Sequence, residues 1–258
     1  MVVGQGDSGA DFSPLPRCRA PRRSRAMDGL HDAAEAPMEF FPALAEMSGW
    51  LAHGFVTRIA NLDVNDDRSV VLGRLARHHE AAVTTLGFSR IALATAEQIH
   101  GGVVSAVVFP PSPAAAPGAD GLATASAGVM LGIHVADCCA VYLVDPVRRA
   151  IALAHSGKKG TEAGIARVAL DLLVSRFGSA PTDVIAQLSP CIRPPRYEID
   201  FAAEIRRQLR DAGLPPRQIH DPGTCTASDL TRYYSYRAEK GRTGRMFALL
   251  GLRSPAPL

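Results

Sequence analysis

Three side chains that commonly bind metal ions stand at the ends of predicted strands, far apart in the sequence. His100, Cys138 and His155 each follow or close an apolar, partly β-branched run. A strand aims a side chain, and the loop after it lets a ligand approach. Two imidazoles and one thiolate are a suitable ligand set for Zn²⁺, and three protein ligands leave a fourth position open for chemistry. These residue types therefore predict a metal site, although their long separations match no short zinc signature.

Cys139 is better explained as a core residue, and Cys191 and Cys225 as structural or incidental residues, because free cysteine is among the residue types most often buried. Cys139 directly follows Cys138, and neighbours on a strand point to opposite faces. Cys191 and Cys225 have no histidine near them in the sequence. An alternative remains open for Cys138 itself, since a thiol that is free of metal and beside a histidine is the nucleophile of a Cys–His hydrolase.

A short basic turn follows the second histidine. The segment 157–161 reads Gly-Lys-Lys-Gly-Thr and leads into a predicted helix, with Thr161 as its N-cap. Glycines free the backbone, two ammonium groups supply charge, and a helix N-terminus supplies oriented N–H groups, which together favour an anion site. The spacing is not that of a P-loop, and a solvated surface turn is the alternative. The position of the segment immediately after His155 favours the anion site.

The elements that must position these residues mix strands with helices, without the strict alternation of a doubly wound parallel sheet. Helical spacing of apolar residues predicts helices over 66–86, 161–177 and 201–212. The mixture predicts an α/β fold of the α+β type, with sheets inside and helices outside. The predicted strands cover 53–58, 91–99, 103–109, 129–135, 140–144, 150–154, 184–188 and 245–252.

The charge is distributed unevenly along the 258 residues. Lys and Arg total 28 against 25 Asp and Glu, and the net excess arises within residues 1–26. A neutral body argues against nucleic acid as a partner, because phosphate contacts need clustered basic residues. No run approaches the roughly 18 apolar residues of a membrane span, and no apolar segment follows the first arginines as in a secretory signal. We therefore expect a cytoplasmic protein with reduced thiols and no membrane partner.

The chain is expected to divide into a tail and one folded body. Residues 1–48 are rich in Pro, Ala and Gly without a sustained period, which predicts a disordered basic tail in which Met27 is an alternative start. The body, residues 49–254, is long enough to bury a full core and is expected to be a single domain of catalytic type.

Short stretches along the body form an ordered set that is specific, although no single stretch is. They include 53–58 (HGFVTR), 98–101 (QIHG), 119–122 (ADGL), 136–138 (ADC), 154–157 (AHSG), 234–237 (YSYR) and 243–245 (TGR). The set covers about residues 50–252. It resembles the family variously called multicopper polyphenol oxidoreductase (laccase-like), peptidoglycan editing factor or purine nucleoside phosphorylase, and the chain looks like a divergent member.

The resemblance implies a fold and a set of site residues. The fold is a sandwich of two central mixed β-sheets flanked by helices, similar to the catalytic domain of a toxin deamidase. The implied zinc ligands are His100, Cys138 and His155, with Asp137 as a further catalytic residue, and copper is the less favoured metal. The implied substrate or phosphate contacts are Arg58, Gln98, Lys158, Lys159 and Arg237.

The resemblance also implies a reaction. Family members cleave adenosine, inosine and methylthioadenosine with phosphate, and some deaminate adenosine, which implies a transferase with an additional hydrolase activity. Phosphorolysis needs a phosphate near the anomeric carbon and stabilisation of the charge that develops on the ribose and the leaving base. The expected partners are therefore a purine nucleoside and phosphate, and the sequence predicts no oligomeric state.

One departure from the family pattern bears on this expectation. The family usually reads Gly-Trp-Arg-Gly-Thr where this chain has Lys158 and Lys159 between the glycines. Lysine keeps the charge of arginine but lacks its planar, bidentate geometry. This change leaves open a divergent paralogue that binds zinc without catalysis. A laccase-like copper oxidase is the other alternative, because blue-copper sites also use two histidines and a cysteine.

Overall fold

The structure, a computed structural model, describes residue 1 and residues 36–254. All of the elements lie within the unit of residues 33–258. The strands are β1 (Met38–Glu39), β2 (Leu51–Val56), β3 (Leu93–Thr95), β4 (Val104–Ala106), β5 (Gly121–Thr124), β6 (Met130–Val135), β7 (Cys139–Asp145), β8 (Ala150–Ser156), β9 (Ile185–Leu188), β10 (Ile219–His220) and β11 (Met246–Leu252). The helices are α1 (Pro42–Ala45), α2 (Arg68–Thr85), α3 (Lys158–Glu162), α4 (Ile165–Phe177) and α5 (Phe201–Asp211).

The strands form two mixed sheets. The first sheet has the order β1-β2-β11-β6-β3 and is antiparallel except for its β6–β3 pair. The second sheet has the order β10-β9-β7-β8-β5-β4, with parallel pairs only at its two edges. The predicted fold class, two mixed sheets flanked by helices, is confirmed.

Alternation along β7 and β8 shows how the two sheets face each other. Tyr142 and Leu153 belong to the apolar core shared with the first sheet, whereas their neighbours Val141 and Ala152 belong to a second core formed with α4 and α5. Successive strand residues point to opposite faces, which explains this division. The Tyr142 hydroxyl also donates a hydrogen bond to the Gly54 carbonyl of β2 at 3.0 Å. The same alternation directs His155 toward the first sheet.

The predicted helix 161–177 is wrong at its start, because the structure has two helices there. The five-residue α3 ends at Glu162, and α4 begins after Gly164, whose φ of +69° suits glycine. Thr161 caps neither helix, and its hydroxyl instead lies 2.8 Å from that of Ser156. The predicted stop at Gly178 is confirmed, with a left-handed φ of +71° at the end of α4.

The boundary predicted at residue 48 differs from the structure. Residues 36–48 include β1, which pairs with β2, and α1, whose Leu44 is fully buried. Phe41 packs its ring 5.3 Å from that of Tyr142, so this segment belongs to the folded body. Residues 2–35, the greater part of the predicted tail, lie outside the described residues.

Two further expectations concern burial and membranes. Cys139 is fully buried, as predicted for a core cysteine, and Cys191 is fully buried too. Within the described ranges, every helix is too short or too polar to cross a membrane.

Candidate metal centre

His100, Cys138 and His155, hereafter the metal triad, come together where the two sheets meet. One ligand atom of each residue lies within 4.8 Å of the others. The rings of His100 and His155 have centroids 4.9 Å apart and are nearly perpendicular, at 83°. His100 follows β3 of the first sheet, Cys138 lies between β6 of the first sheet and β7 of the second, and His155 lies in β8 of the second. Sheet ends from both layers therefore converge on one point.

Asp120 connects two members of the triad and was not assigned a role from the sequence. Its carboxylate is fully buried and accepts hydrogen bonds from the backbone N–H groups of His100, at 2.8 Å, and Gly101, at 2.6 Å. It also lies 3.2 Å from Nδ1 of His155. A carboxylate in this position holds a proton on Nδ1 and leaves Nε2 to bind a metal. The Ala-Asp-Gly-Leu stretch at 119–122 was the available signal.

The electrostatics of the triad favour a charged thiolate. Burial opposes ionisation of the Cys138 thiol, but hydrogen bonds with His100 and His155 outweigh it and lower the pKa to about 6. Burial would lower the pKa of His155, but Asp120 and the Cys138 thiolate raise it to about 9. Metals bind thiolate and neutral imidazole, so a metal would displace the proton on Nε2 of His155. This donor set fits Zn²⁺ well.

The backbone around the triad is shaped for close approach. A Cβ added to Gly157 would lie 2.6 Å from the Sγ atom of Cys138, so only glycine fits there without displacing the thiol. Gln98, His100 and Asp137 all have positive φ, at 61°, 64° and 78°. Such conformations are unfavourable for residues with side chains and persist where the surroundings enforce them, often at functional sites.

Two of the predicted site residues use their polar groups to tie loops together. Asp137 accepts a hydrogen bond from the Thr226 hydroxyl at 2.7 Å and another from the Arg237 backbone N–H at 2.7 Å. Gln98 donates to the carbonyl of His134 at 2.7 Å and accepts from its N–H at 2.9 Å. Both side chains also line the cavity described next, and their hydrogen bonds fix the positions of the surrounding loops.

A cavity of about 800 Å³, hereafter the cleft, opens beside the triad. Of the predicted substrate contacts, Gln98, Lys158 and Arg237 line it. Arg58 does not, because it pairs with Glu239 at 2.6 Å and stacks on Tyr234. Lys159 is exposed and also lies outside the lining set, whereas its neighbour Lys158 belongs to it. The structure therefore brings together three of the five predicted contacts.

Several residues that line the cleft were not predicted as contacts. The cations Arg68, Lys240 and Arg245 surround it, and so do the aromatic residues Tyr197 and Tyr236. Tyr236 and Arg245 lie within two of the family-like stretches, which was the signal available. Arg68 begins an exposed helical turn at the start of α2, where nothing in the local sequence marks a site. His134 also lines the cleft, with its ring stacked on Phe247 at 4.4 Å.

Comparison with known proteins places the chain among relatives of one kind. A family model described as multi-copper polyphenol oxidoreductase laccase matches residues 57–203 and 196–253. The chain is 30% identical to the purine nucleoside phosphorylase YlmD of Geobacillus stearothermophilus, covering 92% of this chain and 94% of that protein. It is 31% identical to a purine nucleoside phosphorylase of Deinococcus radiodurans, covering 78% and 88%. The crystal structure of YlmD from Geobacillus stearothermophilus superposes with a TM-score of 0.70 at 28% identity, over 83% of this chain and 94% of that one.

Proposed function

Because the chain belongs to the family described as multi-copper polyphenol oxidoreductase laccase, we propose that it is a zinc-dependent purine nucleoside phosphorylase. Its relatives of about 30% identity carry the phosphorylase name. The observation that carries the proposal is the cleft itself, which joins the metal triad, a lysine ammonium and aromatic side chains in one cavity. Adenosine, inosine and methylthioadenosine are the substrates we propose, with phosphate as the second reactant.

The chemistry of the ligands supports zinc over copper. Two imidazoles and one thiolate suit both metals, but a blue-copper site adds a weak axial ligand that is usually methionine. None of the residues lining the cleft is a methionine. When bound to the triad, Zn²⁺ would act as a Lewis acid that polarises a substrate oxygen.

The side chains of the cleft suit the two reactants. Lys158, close after His155 in the chain, offers an ammonium for the attacking phosphate, and Arg237 adds a guanidinium. Tyr197 and Tyr236 offer ring faces for a purine base. In the reaction, a phosphate oxygen forms a bond to the anomeric carbon while the bond from that carbon to the base nitrogen breaks. The base leaves with the electron pair and takes up a proton.

Arg237 is held in place by three contacts. Its guanidinium lies 4.5 Å from the centre of the Tyr197 ring and 3.0 Å from the Glu198 carboxylate, while its backbone N–H binds Asp137. Asp137 therefore acts by positioning the segment that carries Tyr236 and Arg237. Positioning of both reactants is a large part of what a site contributes to a two-substrate reaction.

A second candidate is a zinc-binding paralogue without catalysis. The observation that favours it is Lys158, which stands in the cleft where the family pattern has a tryptophan. A flexible ammonium in place of a flat ring removes one surface on which a purine would stack.

Deamination of adenosine is a further activity that we include in the leading proposal, because a metal-activated water is the usual nucleophile for it.

The test is an assay of the purified protein after its metal content has been measured. We expect zinc and a phosphate-dependent release of base from at least one of the three nucleosides. The variant Cys138→Ser should lose both zinc and turnover. Cys225→Ser is the matched control, because Cys225 lies outside the cleft lining and should leave both unchanged.

Each remaining result points elsewhere. Zinc without turnover of any nucleoside would support the paralogue. Copper with oxidation of a phenol would support the oxidase. A metal-free protein whose Cys138 is rapidly alkylated would support the Cys–His hydrolase.

A further inference from the structure

The cleft carries more positive charge than one phosphate ion needs. Five cationic side chains line it, against the single carboxylate of Asp137, whose oxygens already accept two hydrogen bonds. Of the five, Arg237 has a carboxylate partner in Glu198. The other four have none within 4 Å among the residues that the structure describes; they are Arg68, Lys158, Lys240 and Arg245, hereafter the cation cluster.

Two members of the cluster, Arg68 and Arg245, carry like charges and line the same cavity; they are hereafter the arginine pair. Arg245 directly precedes β11 and is half-buried, while Arg68 is the first residue of α2. Burial and the neighbouring charge of Arg68 both lower the pKa of Arg245. The Arg245 guanidinium is held by hydrogen bonds from Nη1 to the carbonyls of Thr243, at 3.0 Å, and Gly244, at 2.8 Å. Like charges that line one cavity disfavour each other's charged form, and a bound anion relieves that repulsion.

The arginine pair and Lys158, the lysine assigned to the attacking phosphate, reach the cleft from different layers of the fold. Arg68 and Arg245 come from α2 and β11, on the side of the first sheet. Lys158 begins α3 directly after β8 of the second sheet, and it also lines a neighbouring cavity beside α5. The cleft therefore offers cations from both layers, and the metal triad lies where those layers meet.

We propose that the arginine pair binds a phosphate group carried by the substrate, so that this protein acts on a purine nucleoside 5′-monophosphate. The inference rests on the proposed function and extends it from nucleosides to nucleotides. Arginine suits this role, because its planar fork donates two hydrogen bonds to neighbouring phosphate oxygens. The ribose separates the 5′-phosphate from the anomeric carbon, so a nucleotide and inorganic phosphate together require two anion positions in one cavity. The covalent step is the same, and it yields the free base and ribose 1,5-bisphosphate.

The test compares binding of adenosine 5′-monophosphate and adenosine by calorimetry, in protein whose metal content is known. We expect the monophosphate to bind at least about tenfold more tightly, the difference typical of added charge-assisted hydrogen bonds. Arg68→Gln should reduce this ratio about tenfold, since it removes one such bond. Arg68 is exposed and makes no hydrogen bond that its replacement would break among the described residues, so the variant should fold.

Two control variants make the result specific. Arg176→Gln changes an exposed arginine of α4 outside the cleft lining and should leave the ratio unchanged. Lys158→Gln should preserve a preference for the monophosphate while weakening binding of inorganic phosphate alone. Equal affinity for adenosine 5′-monophosphate and adenosine would overturn the inference. A preference for the monophosphate that survives Arg68→Gln and disappears only in Lys158→Gln would overturn it too.

The binding measurement also separates this inference from the proposed function. If no purine compound is turned over but the ratio depends on Arg68, the subsite stands and phosphorolysis does not. If adenosine is cleaved with phosphate while the monophosphate binds no better, phosphorolysis stands and the subsite does not.

Discussion

The metal triad and the cation cluster lie in the same cleft but are held in different ways. Each triad residue stands at or near a sheet end and is braced by buried groups, above all the carboxylate of Asp120. In the cation cluster, Lys158 and Lys240 have no ion pair among the described residues, and Arg68 begins a helix from an exposed position. The triad is fixed by buried contacts, whereas Arg68, Lys158 and Lys240 are exposed, and only Arg245 of the cluster is held, by two backbone carbonyls.

The difference shows how the two regions divide the work of the site. A reactive centre must hold its groups within a fraction of an ångström, and buried supporting contacts provide that precision. Charged side chains that line a cavity attract and orient a ligand, and this role does not require them to be held as precisely. Changes in the triad should therefore abolish function, whereas changes in the cation cluster should alter the choice and affinity of the substrate.

The largest expected effect is the loss of the metal from His155→Ala. Removal of one of three ligands should reduce zinc affinity by more than the ~10–100-fold that loss of a supporting partner costs. Zinc content by elemental analysis and affinity by competition with a chelator measure the effect. His220→Ala, a histidine of β10 outside the cleft lining, is the control. Full zinc occupancy in His155→Ala would contradict the assignment of the site.

A smaller effect is expected from Asp120→Asn, which tests whether the buried Asp120 carboxylate is needed to hold the metal triad in place. The amide would present an NH₂ group to neighbours that now donate three hydrogen bonds to the carboxylate, so zinc affinity should fall about 10–100-fold and stability by about 1–3 kcal/mol. Chelator competition and thermal unfolding measure the two.

Asp145→Asn is the matched control for Asp120→Asn. Asp145 is also fully buried and accepts the backbone N–H groups of Val147 and Arg148, but it does not contact the triad. It should lose stability while keeping zinc affinity. Equal zinc affinity in both variants would show that the Asp120 carboxylate does not support the triad.

The smallest expected effect comes from the adjacent lysines, which form a matched pair. Lys158→Gln should raise the KM for phosphate about tenfold, because it removes one cation from the cleft. Lys159→Gln should leave the KM unchanged, since Lys159 lies outside the lining residues. Steady-state kinetics with varied phosphate measure both. Equal effects of the two substitutions would show that the cation cluster acts through its overall charge and not through contact.

The metal triad was more predictable from the sequence than the cation cluster. His100, Cys138 and His155 were predicted because residue type and position after an apolar run are local properties of the chain. Asp120 was harder to assign, since its role depends on contacts with two other segments.

The misplacements of Arg58 and Arg68 share one physical cause, which is that contacts distant in sequence override local pattern. Arg58 matched a family-like stretch, but Glu239 and Tyr234 take its guanidinium away from the cleft. Arg68 entered the cleft only through the placement of α2. The predicted helix 161–177 was split at Gly164, whose left-handed backbone starts α4 anew. The predicted strands overlap the other described strands, and the helices predicted over 66–86 and 201–212 overlap α2 and α5, but β1, β5 and β10 were not predicted.

The position of the triad between the sheets has a mechanical consequence. The sheets pack against each other through a shared apolar core and through contacts such as the hydrogen bond from the Tyr142 hydroxyl to the Gly54 carbonyl. An ion bound by His100, Cys138 and His155 would tie the loop after β3 of the first sheet to the start of β7 and the end of β8 in the second. Binding to the folded state alone would stabilise the protein by about 4 kcal/mol at a thousandfold excess of metal over Kd. The melting temperature of the whole sandwich would then report the occupancy of one site.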